Sequence, residues 1–173
     1  MTLRNGDDGQ LRFQMAAMSW ASNVESTVWL GEGVAIDHSF RIQLEKFYVH
    51  DAAWAQPGGA GYAISLAKGS SEILIQNGIS VRANKVIVSR CSGAGSVVAY
   101  NYMDQGFINT IGGWIEVGLN NSHMTGSHHM LLEGNLSFNM DSDNTHGATI
   151  YSTYFRNYAR GPRGRFEIGR AHV

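Results

Sequence analysis

The segment Asp141-Ser-Asp143-Asn144-Thr-His146-Gly147 places two carboxylates and a histidine within one short polar run. A polysaccharide hydrolase needs one carboxylic acid to protonate the leaving oxygen and one carboxylate to activate water or attack, so Asp141 and Asp143 are candidate catalytic residues, with His146 beside them. The same residue types also turn a chain by bonding their own backbone, a structural role that competes for Asp141, Asp143 and Asn144. Upstream, the stretch between Met103 and Ser127 carries Trp114, Glu116, Asn120, Asn121 and His123. An aromatic face that stacks on sugar and polar side chains that bond hydroxyls suit a substrate-binding loop, so Trp114 and His123 are candidate binding residues. Arg156, beside Asn157, is the candidate cation for an acidic sugar. His123, His128 and His129 lack the close spacing of a familiar zinc site, and polar packing in turns and at a strand edge is their expected role; no metal site is assigned.

These residues must be held by β-structure. Helical periodicity is nearly absent; its one trace, from Gln14 to Ala21, is too short to stand alone. Short β-branched and apolar runs recur between Gly, Asn, Ser and Asp: 40–44, 47–49, 62–66, 73–76, 85–89, 97–100, 130–132 and 149–155. With no helical pattern between strands, βαβ folds are excluded, leaving a sandwich, a barrel or a solenoid. A repeat favours the solenoid. Four runs close on an asparagine: Ile73-Leu-Ile-Gln-Asn77, Val97-Val-Ala-Tyr-Asn101, Leu131-Leu-Glu-Gly-Asn135 and Thr153-Tyr-Phe-Arg-Asn157. Intervals of 24, 34 and 22 residues fit coils of ~20–25 residues, one of them enlarged by a loop of ~10. In stacked coils a side-chain amide at a turn bonds the amides above and below, so Asn77, Asn101, Asn135 and Asn157 are expected to form a ladder.

The chain has 173 residues with a formal net charge of −1, so no basic footprint points to nucleic acid. No apolar run is long enough to span a membrane. A single cysteine, Cys91, excludes a disulfide scaffold, and 21 glycines against 2 prolines suggest many tight turns. The segment 168–173 has no structural periodicity, and its residues match one reading frame of a common short-read sequencing adapter; it is expected to be a cloning or assembly scar. The chain is then expected to divide into irregular or incomplete coils over 1–35, a parallel β-helix over 36–167 and the scar. It is also expected to be a C-terminally truncated fragment of a protein that continues past about Phe166, and its truncated, open coil end would favour self-association.

Gly61-Tyr-Ala-Ile-Ser-Leu66, the Ser70-Ser71 turn and Glu72-Ile-Leu-Ile-Gln-Asn77 resemble one coil of the pectin-lyase-like superfamily, and Ser127 to Asn139 repeats the pattern. The resemblance covers about residues 36–160. It implies an all-β, right-handed, single-stranded parallel β-helix with three sheets around a stacked interior, secreted or at a cell surface, that acts on an acidic polysaccharide as a hydrolase or lyase. The superfamily's polygalacturonases carry paired aspartates and a His-Gly, there on separate coils and here in one run. Its lyases use an arginine or lysine base, for which Arg156 and Arg160 are available, and calcium, which Asp141 and Asp143 could hold; a hydrolase would need no cofactor. The alternative from a different class is a non-catalytic adhesin or tail-fibre-like binding module.

Overall fold

The computed structural model describes residues 1–55, 60–110, 113–116, 118–121, 123–142, 147–160 and 166–167, with 107–110, 113–116 and 166–167 described by their backbone alone. The first coil contains β1 (Thr2–Gly6), β2 (Gly9–Gln14) and β3 (Ala17–Ser22). The second contains β4 (Glu25–Trp29), β5 (Glu32–Asp37) and β6 (Phe40–Glu45), and the third β7 (Tyr48–His50), β8 (Tyr62–Ala67) and β9 (Leu74–Gln76). In the fourth are β10 (Ile79–Ala83), β11 (Ile87–Arg90) and β12 (Val97–Ala99). The fifth has β13 (Tyr102–Thr110), β14 (Gly113–Glu116), β15 (Leu119–Asn120) and β16 (Leu131–Glu133). The sixth has β17 (Leu136–Ser137), β18 (Met140–Asp141) and β19 (Thr153–Phe155), followed by β20 (Tyr158–Ala159) and β21 (Phe166–Glu167).

Each strand pairs in parallel with its counterpart one coil on. Sheet A runs β1-β4-β7-β10-β13-β17-β20, sheet B β2-β5-β8-β11-β15-β18-β21 and sheet C β3-β6-β9-β12-β16-β19. The exception is β14, antiparallel to β13. The architecture is therefore an all-β parallel β-helix, and no helix among the described residues is long and apolar enough to cross a membrane. The stacking reaches back to Thr2, into the region where the sequence suggested irregular or incomplete coils. Its first strands carry Arg4, Gln10 and Arg12 among few apolar residues, so the alternation that marks a strand is weak there.

Inward positions stack in columns. Sheet B supplies Leu11, Val34, Ile64, Ile87, Leu119 and Met140, and sheet C supplies Ala21, Leu44, Ile75, Val98, Leu132 and Tyr154. Most are fully buried in one continuous core, and each large aliphatic side chain contributes about 1.5–3 kcal/mol. Two columns gain polar groups in the later coils. The sheet B column of Phe13, Ile36 and Leu66 continues as Ser89, and Tyr154 enters the interior with its hydroxyl 2.5 Å from Ser142 Oγ. Burial pushes the Tyr154 phenol above its ordinary range.

The coils bend at single residues with positive φ, aligned from coil to coil. At the end of sheet A these are Asn5, Val28, Asp51, Arg82 and Gln105; after sheet C they are Asn23, Lys46, Asn77, Tyr100, Gly134 and Arg156. A left-handed residue costs an L-amino acid roughly 1–2 kcal/mol. It turns the chain while leaving both flanking strands free to pair, so the ladder bonds of every coil offset that cost.

This geometry corrects the register of the asparagine ladder. Gln76 lies beside Ala99, so Asn77 falls level with Tyr100 in the left-handed column, and Gly78 is the residue level with Asn101. Asn101, Asn135 and Asn157 do form the ladder: Asn101 Nδ2 donates to Asn135 Oδ1 at 3.1 Å, and Asn135 Nδ2 donates to Asn157 Oδ1 at 3.0 Å. Asparagine suits both positions for different reasons, tolerating the left-handed turn at 77 and supplying a two-sided amide at 101, 135 and 157. The coil length between Ile79 and Tyr102 is consequently 23 residues.

Candidate functional site

Two coils are longer than the basic turn of 23 residues, by which Ser26 leads to Val49 and Ser80 to Met103. From Val49 to Ser80 the step is 31, and from Tyr102 to Leu136 it is 34. Both enlargements include an insertion at the same corner, between sheets A and B. The first leaves after β7 and returns at β8; the second is the hairpin of β13 and β14, in which Asn109 pairs with Trp114. The stretch between Met103 and Ser127 is thus not one loop, since Met103 is fully buried in β13 and residues 119–120 rejoin sheet B. Between the insertions, the fourth coil turns the corner tightly. There Asn84 Nδ2 donates to Ala60 O at 2.7 Å and the Asn84 amide donates to Gly61 O at 2.8 Å, tying down the end of the first insertion.

The insertions border the outer face of sheet B. One column on that face reads Arg12, Ala35, Ser65, Val88, Asn120 and Asp141. Ala35 and Ser65 are short, and the guanidinium of Arg90 lies against the face, donating to Ser65 Oγ at 2.7 Å and to Glu32 Oε1 at 2.8 Å. Its carbon is 5.0 Å from the centre of the Tyr62 ring, which meets His123 edge-on at 6.3 Å. Arg12 bridges Asp37 at 3.3 Å and Glu32 at 3.7 Å, and Lys68 reaches Asp37 at 3.2 Å. Burial raises the Glu32 carboxyl above its ordinary value, against the opposing pull of Arg90 and Arg12.

Asp141 therefore stands on the sheet B face, two coil steps or about 10 Å beyond Val88. His123 belongs to the same face through Tyr62. Trp114 is carried on the hairpin, where its backbone alone is described. Asp143 and His146 lie outside the described residues. Arg156 is not brought to this group: it occupies the left-handed position after β19, at the corner between sheets C and A, with its guanidinium carbon 4.6 Å from the Phe155 ring centre. His128 and His129 also sit elsewhere, Nδ1 to Nδ1 at 2.8 Å beside Tyr151. Among the described residues no group of three or more His, Cys, Asp or Glu could hold a metal ion.

Sequence reasoning missed Arg12, Glu32, Asp37, Tyr62 and Arg90. Their only signal is the coil period, which sets Arg12 in the column of Ser65 and Gln14 in that of Asp37 once the register is known. It also missed Trp54, which is 57% exposed on the first insertion, whereas Trp29 is fully buried in the core.

The root of the first insertion is pinned by Asp51, which pairs with Arg82 of the next coil, Nη2 to Oδ2 at 2.9 Å, and faces His50 Nδ1 at 2.6 Å. The Arg82 bonds hold the Asp51 carboxyl below its ordinary value. A depressed carboxyl stabilises the fold above its unfolded-state pKa and loses that contribution as pH falls through the folded value. Asp51→Asn should thus cost about 1 kcal/mol or less at neutral pH, since the pair is partly exposed, and the difference from wild type should shrink below about pH 4. Urea titrations at pH 7 and pH 3 check this; a gap that widens in acid contradicts it.

Comparison with known proteins finds no matching family model, and neither the curated proteins nor the solved structures contain a match.

Proposed function

We propose that this chain is a right-handed β-helix of the pectin-lyase-like type, secreted or cell-surface, that acts on an acidic polysaccharide through the outer face of sheet B. The observation that carries the reading is the shared corner of the two insertions, which border a face bearing Asp141, His123 and the guanidinium of Arg90. Loops on a rigid scaffold are where binding and catalysis concentrate, and a planar guanidinium beside aromatic rings suits a sugar carboxylate. Trp54, exposed on the first insertion, supplies a sugar-stacking aromatic, and Asp141 supplies a carboxylate for hydrolysis, or one ligand for calcium in a lyase.

Digestion of polygalacturonate separates these chemistries. Hydrolysis yields new reducing ends alone, while elimination also yields an unsaturated, ultraviolet-absorbing product. Asp141→Asn should lower either activity at least 100-fold with an unchanged circular dichroism spectrum; full activity in that variant removes Asp141 from the site. One observation favours the non-catalytic adhesin reading: Arg12 and Arg90 already bond Asp37, Glu32 and Ser65. A wild type that binds acidic glycans and cleaves none of them decides for that reading.

A further inference from the structure

The outer face of sheet A carries a column that begins with Thr2 and Glu25 and in which, from the third coil on, an aromatic residue recurs at every second coil. Tyr48 lies beside Ile79, Ile79 beside Tyr102, Tyr102 beside Leu136 and Leu136 beside Tyr158. Each coil step is about 4.8 Å, so the tyrosines repeat at about 10 Å. Tyr48 is 38% exposed, Ile79 44% and Tyr158 63%, whereas Tyr102 and Leu136 are half-buried. Among the described residues no other exposed aromatic shows this recurrence: Trp20 shares its column with Gln43, Leu74 and Val97, and Tyr100 shares its own with Asn77.

Two of the three rings are held in place. Tyr48 stacks on His50 with ring centres 3.9 Å apart and accepts a bond from Arg82 Nη2 at 3.5 Å. The Tyr102 hydroxyl donates to Asp104 Oδ2 at 3.0 Å and accepts from Arg160 Nη2 at 2.6 Å. A ring fixed before binding loses little conformational freedom when it meets a ligand. His50 lies against one face of the Tyr48 ring and the Arg160 guanidinium carbon is 5.2 Å from the centre of the Tyr102 ring, covering one face of each; with Arg82 and Asp104 they supply polar groups that can bond hydroxyls.

An extended β-1,4-linked glycan has this repeat. Successive sugars flip over, so the same apolar C–H face returns at every second residue, in step with an aromatic platform at every second coil. Ile79 and Leu136 cover the intervening steps without requiring a polar partner. From this match we infer that the outer face of sheet A is a second, non-catalytic site for an extended β-1,4-linked glycan, with Tyr48, Tyr102 and Tyr158 as its stacking platforms. The site stands independently of any cleavage at sheet B.

Calorimetric titration with cellohexaose and cellobiose tests it. Wild type should bind cellohexaose at least tenfold more tightly than cellobiose, because only the longer chain spans several platforms. Tyr102→Ala should weaken cellohexaose binding about tenfold, the scale of one lost stacking contact. Tyr102→Phe, which keeps the ring but frees it from Asp104 and Arg160, should weaken binding by less than Tyr102→Ala does, and Asp141→Asn should bind as wild type does. Thermal melts confirm that each variant is folded. No cellohexaose binding, equal affinity for the two sugars, or wild-type affinity in the triple variant Y48A/Y102A/Y158A overturns the inference. So does a column that drives self-association in sedimentation without binding sugar. Failure of the sheet B reading would appear separately, in the polygalacturonate digestion.

Discussion

Asn135→Ala should be among the most destabilising single substitutions in this chain, costing on the order of 3–5 kcal/mol. Asn135 is 1% exposed and occupies the middle of the ladder. Its Oδ1 accepts from both the backbone amide and Nδ2 of Asn101 at 3.1 Å, while its Nδ2 donates to Val98 O at 2.8 Å and to Asn157 Oδ1 at 3.0 Å. Truncation takes partners from two donors and two acceptors at a buried corner, and each group left unpaired there costs about 1–3 kcal/mol. Asn135→Asp should also destabilise, because a carboxylate can accept from Asn101 but cannot donate to Val98. Asn77→Gly should be near neutral, since Asn77 is an exposed left-handed turn residue with φ of 55°. Urea denaturation of the three variants measures the contrast, and an equal loss in Asn77→Gly would return that residue to the ladder.

Gly78→Ala should cost about 2–3 kcal/mol, with a cause one coil earlier. Val24, Phe47, Gly78, Asn101, Asn135 and Asn157 occupy equivalent corner positions. Phe47 is 3% exposed, and a Cβ on Gly78 would lie 2.2–2.3 Å from three atoms of its ring. The glycine thus marks the level at which an apolar corner gives way to the amide ladder, with the Phe47 ring filling the space that a side chain would take. Overfilling a packed core typically costs 1–3 kcal/mol, and removing a buried phenylalanine side chain costs about 3–5 kcal/mol. The double variant F47A/G78A should therefore be less destabilised than the sum of the two single changes, with a coupling of about 1–3 kcal/mol. Strict additivity in thermal or urea unfolding would show that the two residues do not compete for one space.

Much of the architecture is legible in the chain because its causes are local. β-Branched runs between Gly, Asn, Ser and Asp define β6, β8, β9, β12 and β16 to within a residue or two, because strand alternation and turn chemistry act over a few neighbours. The spacing of Asn101, Asn135 and Asn157 reveals the coil, since an amide can bond its equivalents only if each turn restores it to one corner. Tertiary structure decided what depends on lateral stacking. A one-residue shift separates Asn77 from the ladder, and bends at Val28, Lys46 and Tyr100 use residue types that carry no turn signal. Two-residue strands such as β17, β18 and β20 are too short to show any period and exist because the coil below offers a partner. The face of sheet B is the clearest case. Arg12, Glu32, Asp37 and Arg90 are scattered through the first four coils, and Asp141 joins their face rather than that of Arg156. Which side chains share a face is set by the register between coils and by which corner holds the insertions, and those are properties of the stack rather than of any single segment.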